Sequence, residues 1–173
     1  MIPDRLPRIT EDDANELRQF IKDYVSLSGG EGVVIGQSGG IDSAVVTKLA
    51  VDALGPERVH TIFMPSEVTP NADYESTESM AKLWGTGYEV LNIRDPVDAM
   101  EKLLGDDLSR LDRGNIAARC RMTILYGRAK SMNRIVLGTT NQSELMMGYF
   151  TKFGDGACDM TPLSNMYKTE VRQ

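Results

Sequence analysis

A stretch of small residues, "SGGIDS" from Ser38 to Ser43, has the clearest chemical signal in the sequence. It follows the apolar run Val33–Ile35 and precedes an amphipathic helical pattern. A glycine-rich loop between a strand and a helix lets backbone N–H groups approach an anion, and the helix N-terminus adds its dipole. The two serines add hydroxyl donors. The pattern favours a phosphate site over a plain turn.

The loop matches neither of two common nucleotide motifs. Lys48 lies too far along the helix for a Walker loop, and the spacing of the glycines does not give GxGxxG. Asp42, inside the loop, would repel a phosphate unless a cation lay between them. Mg²⁺ often bridges carboxylates and substrate phosphates. An aspartate that only stabilises the helix dipole explains the residue equally well on this ground alone.

Short apolar runs alternate with helical patterns along the whole chain, which predicts parallel βαβ units. The predicted strands cover 33–35, 59–64, 88–93 and 135–137, and the predicted helices cover 10–28, 42–54, 71–84, 96–104 and 115–132. The expected fold is a single α/β domain over residues 1–173, an open doubly wound parallel sheet with helices on both faces. Segments 36–43, 65–70 and 138–144 should then meet at the carboxyl ends of the strands.

Composition excludes several classes of protein. The chain has 173 residues, 41% of them hydrophobic, and a net charge of −6, which disfavours a nucleic-acid-coating protein. No apolar run approaches the roughly 20 residues of a membrane span, and the first residues lack a signal-peptide pattern. Cys120 and Cys158 have no metal-ligand spacing. We expect a cytoplasmic protein with reduced thiols, without nucleic-acid or membrane partners.

Two further features stay open at this level. Residues 113–134 contain six arginines and lysines and no acid, which fits a local anion site or a solvated helix face. His60, the only histidine, lies in a strand pattern and is expected to pack in the core, so Ser-His-Asp chemistry has little support.

The loop resembles the pyrophosphate-binding loop of the N-type ATP pyrophosphatases. Three later segments resemble the NAD synthetases in sequence and order: "NIAARCRMTILYGRA" (115–129), "VLGTTNQSE" (136–144) and "GYFTKFGDGACDMTPLSNMYKTEVR" (148–172). The resemblance implies an adenine nucleotide alpha hydrolase-like fold. It also implies ATP-dependent amidation of deamido-NAD to NAD with ammonia, through an acyl-adenylate, with release of AMP and pyrophosphate.

The resemblance also implies roles for individual residues in binding ATP. The loop residues would hold its phosphates: Gly36, Gln37, Ser38, Gly39, Gly40, Ile41, Asp42 and Ser43. Thr139 and Lys168 would contact ATP as well, and Lys168 would neutralise charge on the transferring phosphates as a catalytic residue. Asp42 and Glu144 would bind Mg²⁺. Taken alone, Glu144 is an ordinary loop acid and Lys168 a solvated lysine.

The second substrate has its own implied residues. Arg119, Lys152 and Asp159 match the positions that bind deamido-NAD in the family. Asp155, between two glycines, would hold ammonium near the acyl carbon and accept a proton as a catalytic residue. A turn aspartate explains Asp155 nearly as well, and an exposed helix arginine is the simple alternative for Arg119.

The chain also departs from the family. Members without extra domains run past its end, so we expect a domain that is incomplete at the C-terminus, binding ATP weakly with little turnover. Segment 65–70 differs from the commoner bacterial pattern, so the adenine contacts there are not implied. No amidase segment is present, which favours free ammonia or a separate partner that supplies it.

The resemblance further implies a homodimer. Its candidate contact is an apolar stripe on the predicted helix 115–132: Ala118, Met122, Leu125, Ala129 and Met132. Packing of this stripe on the sheet is the alternative. Two other functions compete: another adenylating pyrophosphatase, and a nucleotide-binding module without turnover.

Overall fold

The computed structural model describes residues 8–105 and 107–173. It contains a four-stranded, wholly parallel sheet in the order β3-β2-β1-β4. The strands are β1 (Val33–Gln37), β2 (Val59–Phe63), β3 (Gly87–Val90) and β4 (Ile135–Leu137). The predicted α/β class is confirmed. The expectation about a signal peptide concerns residues that lie partly outside the described ranges.

Seven α-helices connect and cover these strands in the described ranges. They are α1 (Glu11–Ser28), α2 (Ile41–Leu54), α3 (Asn71–Trp84), α4 (Arg94–Leu104), α5 (Arg110–Ser131), α6 (Gln142–Met147) and α7 (Lys168–Val171). From β1 the chain moves outward to β2 and β3, then returns to β4 on the other side of β1. The strand order therefore reverses between β1 and β4, and a crevice opens at such a point.

Two apolar cores lie on opposite faces of the sheet. Ile35 and Val33 join α1 and α2 in one core, whereas Val34, between them in sequence, joins α4 and α5 in the other. All three side chains are fully buried. Burial of each such aliphatic side chain contributes about 1.5–3 kcal/mol. This alternation explains why β1 is apolar throughout rather than on one side only.

Two of the predicted boundaries differ from the structure for local reasons, and one short helix is absent from the prediction. Strand β3 ends at Val90, because Ile93 is buried and occupies the N-cap position of α4. Helix α5 begins at Arg110 rather than 115, because Ser109 caps it and the N–H of Asp112 donates to Ser109 Oγ at 3.2 Å. Helix α6 was not predicted at all.

The buried face of α2 also differs from the prediction. Leu49 and Ala50 are buried as expected, but Ala44 and Val45 are only half-buried. Ser43, Val46 and Thr47 take their place against the sheet. The helix starts one residue earlier than predicted and is apolar around most of its circumference, so the pattern alone could not fix its rotation.

Part of the apolar stripe of α5 packs on the sheet, which favours that alternative, and the dimer contact stays a prediction. Ala129 is buried, and Leu125 and Met132 pack in the same core. A Cβ on Gly36 would lie 3.4 Å from Leu125 and from Met64. The side chains of Leu125 and Met64 therefore pack directly over the backbone of Gly36 at the end of β1. None of the helices in the described ranges is long and apolar enough to cross a membrane.

Candidate active site

The phosphate-loop candidate lies at the carboxyl end of β1 and runs directly into α2. Gly39 has a φ of +80°, which favours glycine, and a Cβ there would meet the Asp73 side chain at 3.0 Å. Gly40 occupies the N-cap position of α2 without a side-chain cap. Among the described residues no side chain caps the first N–H groups of this 14-residue helix, which leaves them available to an anion.

Hydrogen bonds among the two serines fix the shape of this loop. The hydroxyl of buried Ser43 donates to the carbonyl of Gly40 at 2.9 Å and accepts from the N–H of Ser38 at 3.3 Å. The N–H of Gly40 donates to Ser38 Oγ at 3.2 Å. Gln37 ends β1, and its buried side chain donates to Thr47 at 2.7 Å. The contact of Gln37 with ATP stays a prediction.

Asp42, Asn141, Glu144 and Lys168 meet beside the loop although they are far apart in sequence. The Nζ of Lys168 contacts Asp42 Oδ2 in an ion pair. The side chain of Asn141, fully buried, donates to Asp42 Oδ1 at 3.2 Å. Its Oδ1 accepts from the N–H of Glu144 at 3.1 Å, and its own N–H donates to Glu144 Oε2 at 3.1 Å. Asn141 thus caps α6 and links the two acids.

The donor set of this cluster fits Mg²⁺. It presents two carboxylates joined through one amide, with Glu144 Oε1 free of any recorded hydrogen bond among the described residues. Mg²⁺ is commonly held by one or two carboxylates, with substrate phosphates and water completing its shell. A metal site made wholly of protein ligands would need more acids. The described residues contain no group of three or more His, Cys, Asp or Glu side chains that could hold a metal ion.

A cavity of about 510 Å³ opens beside the loop at the ends of β1, β2 and β4. Gly36, Met64 and Leu125 form part of its apolar wall, and Thr139 and Ser38 add hydroxyls. Because β1 and β4 are parallel neighbours, Thr139 and the loop both lie at the carboxyl edge of the sheet, as the predicted fold implies. The volume suits a ligand of nucleotide size.

Asp155 lies where this cavity meets a second, more apolar cavity of about 650 Å³. Its Oδ1 accepts from the N–H of Thr151 at 2.8 Å, and the Thr151 hydroxyl donates to Asn115 Oδ1 at 2.8 Å. A Cβ on Gly154 would meet Thr151 at 2.9 Å and Ala118 at 3.0 Å. The glycine therefore lets this loop close onto α5 and holds Asp155 at the boundary.

Arg119 contacts Lys152, whereas Asp159 forms its hydrogen bonds with other residues. Arg119 Nη2 donates to the carbonyl of Lys152 at 3.3 Å. Asp159 Oδ2 accepts from the N–H of Val136 in β4 at 2.7 Å, and Tyr126 donates to Oδ1 at 3.4 Å. Burial and the negative charge of Asp159 raise the pKa of Tyr126 to about 12. Both carboxylate oxygens of Asp159 therefore have partners in the protein, one in β4 and one in Tyr126.

Three residues that line or connect the site were missed from the sequence. Asp73 borders the cavity, Asn141 links the acids, and Arg121 is part of the cavity wall. For Asn141 a signal existed, because Asn followed by Glu three residues later is a capping pattern. For Arg121 the signal was its helical spacing, which places a cation on the same face as Ala118 and Leu125. No sequence pattern singles out Asp73.

A family model matches most of the chain. The model is described as NAD synthase and covers residues 13–173. Among curated proteins, the NH(3)-dependent NAD(+) synthetase of Pyrococcus horikoshii is 47% identical over 159 residues. The match covers 92% of this chain and 61% of that protein, so the chain spans about three fifths of the length of this relative.

Solved structures give a matching result. An NH3-dependent NAD synthetase from Campylobacter jejuni superimposes with a TM-score of 0.89 at 36% identity, over 93% of this chain and 69% of that one. An NMN synthetase from Francisella tularensis gives the same TM-score of 0.89 and identity of 36%, over 93% and 67% of the two chains. The fold of the chain agrees with these relatives.

Proposed function

Because the chain belongs to the NAD synthase family, we propose that it contributes the nucleotide half of an ammonia-dependent NAD synthetase site. The observation that supports this most strongly is the cluster of Asp42, Asn141, Glu144 and Lys168 at the open N-terminus of α2. It lies next to a cavity of nucleotide size at the point where the strand order reverses.

The proposed reaction has two steps. The carboxylate of deamido-NAD attacks the α-phosphorus of ATP, and the bond to the β-phosphate oxygen breaks with release of pyrophosphate. Ammonia then attacks the acyl carbon of the adenylate, loses a proton, and displaces AMP to give the amide. Neither step needs a covalent enzyme intermediate, so catalysis is mainly positioning and stabilisation of charge.

The free N–H groups of α2 and the Ser38 hydroxyl would bind the phosphates of ATP, with Thr139 across the cavity. Lys168 would turn from Asp42 to a phosphate oxygen and offset charge on the leaving pyrophosphate. Asp42 and Glu144 would hold Mg²⁺, which supplies electrostatic neutralisation of the phosphates when bound. The ion pair between the Nζ of Lys168 and Asp42, beside the loop, supports this role for the lysine.

Asp155 would serve the second step. Ammonia is mostly protonated near neutral pH, so a carboxylate at the boundary of the two cavities would attract ammonium and accept its proton. Arg119 and Lys152, in contact through the Lys152 carbonyl, would bind phosphate oxygens of deamido-NAD. For Asp159 we propose an indirect role, since its carboxylate holds β4 and Tyr126.

The test is a product analysis. The chain is incubated with ATP, Mg²⁺, ammonium and deamido-NAD, and NAD, AMP and pyrophosphate are measured by chromatography. We expect magnesium-dependent ATP binding, with AMP as the nucleotide product of any turnover. ADP as the product would exclude the whole class of ATP pyrophosphatases. ATP binding without any product would favour a nucleotide-binding module.

A second candidate substrate is the acid form of NMN. The similarity to the Francisella NMN synthetase equals that to the Campylobacter NAD synthetase in TM-score and identity. The same incubation with nicotinate mononucleotide in place of deamido-NAD decides between them through the ratio of the two initial rates. A homodimer and a cytoplasmic location are also proposed, on the family resemblance alone, and sedimentation at tens of micromolar tests the first.

A further inference from the structure

Arg121 is a cation in the wall of the nucleotide-sized cavity to which the proposed reaction assigns no role. It lies on α5 between Ala118 and Leu125, on the side that faces the sheet. Its Nε donates to the carbonyl of Met64 at 3.0 Å, just beyond the end of β2. This bond fixes the plane of the guanidinium at the bottom of the crevice. Arg121 is therefore built into the cavity rather than extended into solvent.

The charge of Arg121 has no direct partner within the part of the chain that the structure describes. Other arginines of α5 form ion pairs, namely Arg113 with Asp98 and Glu101, and Arg128 with Glu89. Arg121 forms none within 4.0 Å in the described ranges. Asp155 is near enough to raise its pKa, but burial outweighs this and lowers the pKa overall. Arginine nevertheless stays protonated in proteins, so the cavity holds a fixed, partly desolvated positive charge.

The geometry leaves the two Nη groups of Arg121 for a ligand, because the single hydrogen bond found among described residues uses Nε. Two adjacent Nη donors, or one of them with Nε, match two oxygens of a phosphate or carboxylate. A partly buried cation without a counter-charge is unfavourable unless a ligand supplies that charge. Ser38, Thr69 and Thr139 line the same cavity with hydroxyls that can donate to oxygen atoms. Asp73 and Asp155 also line it, but neither forms an ion pair with Arg121 within 4.0 Å among the described residues.

We propose that Arg121 is a substrate-binding residue whose guanidinium holds an oxyanion inside this cavity. The inference rests on the proposed function, which places an acid and a nucleotide there. The oxyanion is either a phosphate of the nucleotide or the carboxylate that becomes the amide. A carboxylate at this position would make the site favour the acid over its amide, because the amide has no negative charge to offer Arg121.

The first test measures binding of three ligands to the 173-residue chain by calorimetry: AMP, deamido-NAD and NAD. We expect Arg121→Met to weaken at least one of them by about 10-fold to 100-fold, the usual effect of losing a charge-assisted hydrogen bond. Arg121→Lys keeps the positive charge but not the paired donors of the guanidinium, so its affinity should lie between those of Arg121→Met and the unsubstituted chain. Lys130→Met removes one positive charge from the exposed side of the same helix and should change nothing.

The pattern of losses identifies the oxyanion. Weaker binding of AMP, or equal losses for deamido-NAD and NAD, assigns Arg121 to a phosphate. A loss for deamido-NAD with NAD unchanged assigns it to the carboxylate. Unchanged binding of all three ligands in a folded Arg121→Met protein overturns the proposal and leaves the proposed function intact. An unsubstituted chain that binds none of the ligands refutes both.

A second measurement needs no substitution, because Arg121→Met also leaves the Met64 carbonyl without its donor and could unfold. The unsubstituted chain is treated with phenylglyoxal, and modified arginines are identified by peptide mass spectrometry. We expect saturating ligand to protect Arg121 and to leave Arg113 unprotected. Equal modification of Arg121 with and without a ligand that binds would contradict the proposal.

Discussion

At the scale of single residues, the Asp42 carboxylate is the proposed binding partner of two cations, the ammonium group of Lys168 and Mg²⁺. Lys168 pairs with its Oδ2 in the described structure, and a bound Mg²⁺ would need the same carboxylate. We expect Lys168→Met to raise the Mg²⁺ affinity of the nucleotide-free chain several-fold, because a competing positive charge is removed. Titration with Mn²⁺ by electron paramagnetic resonance measures this, with Lys130→Met as control. Lower affinity in Lys168→Met would show that the lysine supports the ion instead.

The two acids of the cluster should matter for the metal more than for the fold. We expect Asp42→Asn and Glu144→Gln each to weaken magnesium-dependent ATP binding by about tenfold or more, with small changes in unfolding free energy. Calorimetry over a range of Mg²⁺ concentrations measures the first quantity, and urea unfolding the second. Glu75→Gln, on the exposed side of α3, is the matched control. A normal magnesium titration in both variants would refute the assignment.

Tyr126 gives a prediction about pH. Its pKa is raised to about 12, above the ordinary value of about 10, so the folded protein holds this proton more tightly than the unfolded chain. Its contribution to stability is therefore complete below about pH 10 and is lost as the pH rises towards about 12. We expect Tyr126→Phe to lose less unfolding free energy than the unsubstituted chain between about pH 9 and about pH 11.

Urea unfolding at the two pH values gives the free energies for that comparison. Tyr149→Phe is the control, because this residue is 80% exposed and the substitution removes a hydroxyl from the surface. Equal losses in Tyr126→Phe and the unsubstituted chain would mean that Tyr126 does not titrate differently on folding.

At the scale of elements, the end of β4 depends on a close approach that only glycine permits. A Cβ on Gly138 would lie 2.5 Å from Cys158 Sγ and 2.9 Å from its Cβ. We expect Gly138→Ala to lower the unfolding free energy by about 1–3 kcal/mol, the usual cost of overpacking. Gly127→Ala, in the exposed middle of α5 with open space around it, should raise it by about 0.4–1 kcal/mol. Chemical denaturation of both variants checks the contrast in sign.

Local patterns predicted α3 and β4 with correct ends, because Asn71 and Trp84 border a periodic run and β4 is a short apolar run in a polar context. Local patterns gave wrong element ends or a wrong buried face where tertiary packing determines the structure. Ile93 looks like strand but caps α4, and α2 is apolar on too many sides to show which one is buried. Such choices depend on neighbours that are distant in sequence.

The candidate site follows the same division. The loop and its position after β1 follow from local chemistry, since a strand, two glycines and a helix start are adjacent in the sequence. The pairing of Asp42 with Lys168 does not, because it depends on how α6 and α7 pack; there the N–H of Lys168 donates to Ser143 Oγ at 3.1 Å. The ATP-binding role predicted for Lys168 therefore depends on the family resemblance alone.

At the scale of the whole molecule, a ligand in this site would join segments from both ends of the chain. Because only the folded protein has the assembled cluster, ATP with Mg²⁺ should stabilise it by mass action, by about 2.7 kcal/mol at roughly 100 times the dissociation constant. Thermal unfolding with ATP and Mg²⁺, and with ATP alone, measures the gain. We expect most of it to vanish in Glu144→Gln, and an equal gain in that variant would contradict the metal assignment.

The contact between Asp42 and Lys168 spans 126 residues, which has a consequence for biosynthesis. A ribosome adds about 5–20 residues per second, so the loop would leave the exit tunnel roughly 6 to 25 seconds before its lysine. For most of that interval β1 also lacks β4, which pairs with it from residue 135 onward. The nascent loop can therefore meet nucleotides in the cell well before Lys168 has been made, and the pairing of Asp42 with Lys168 forms late relative to the loop itself.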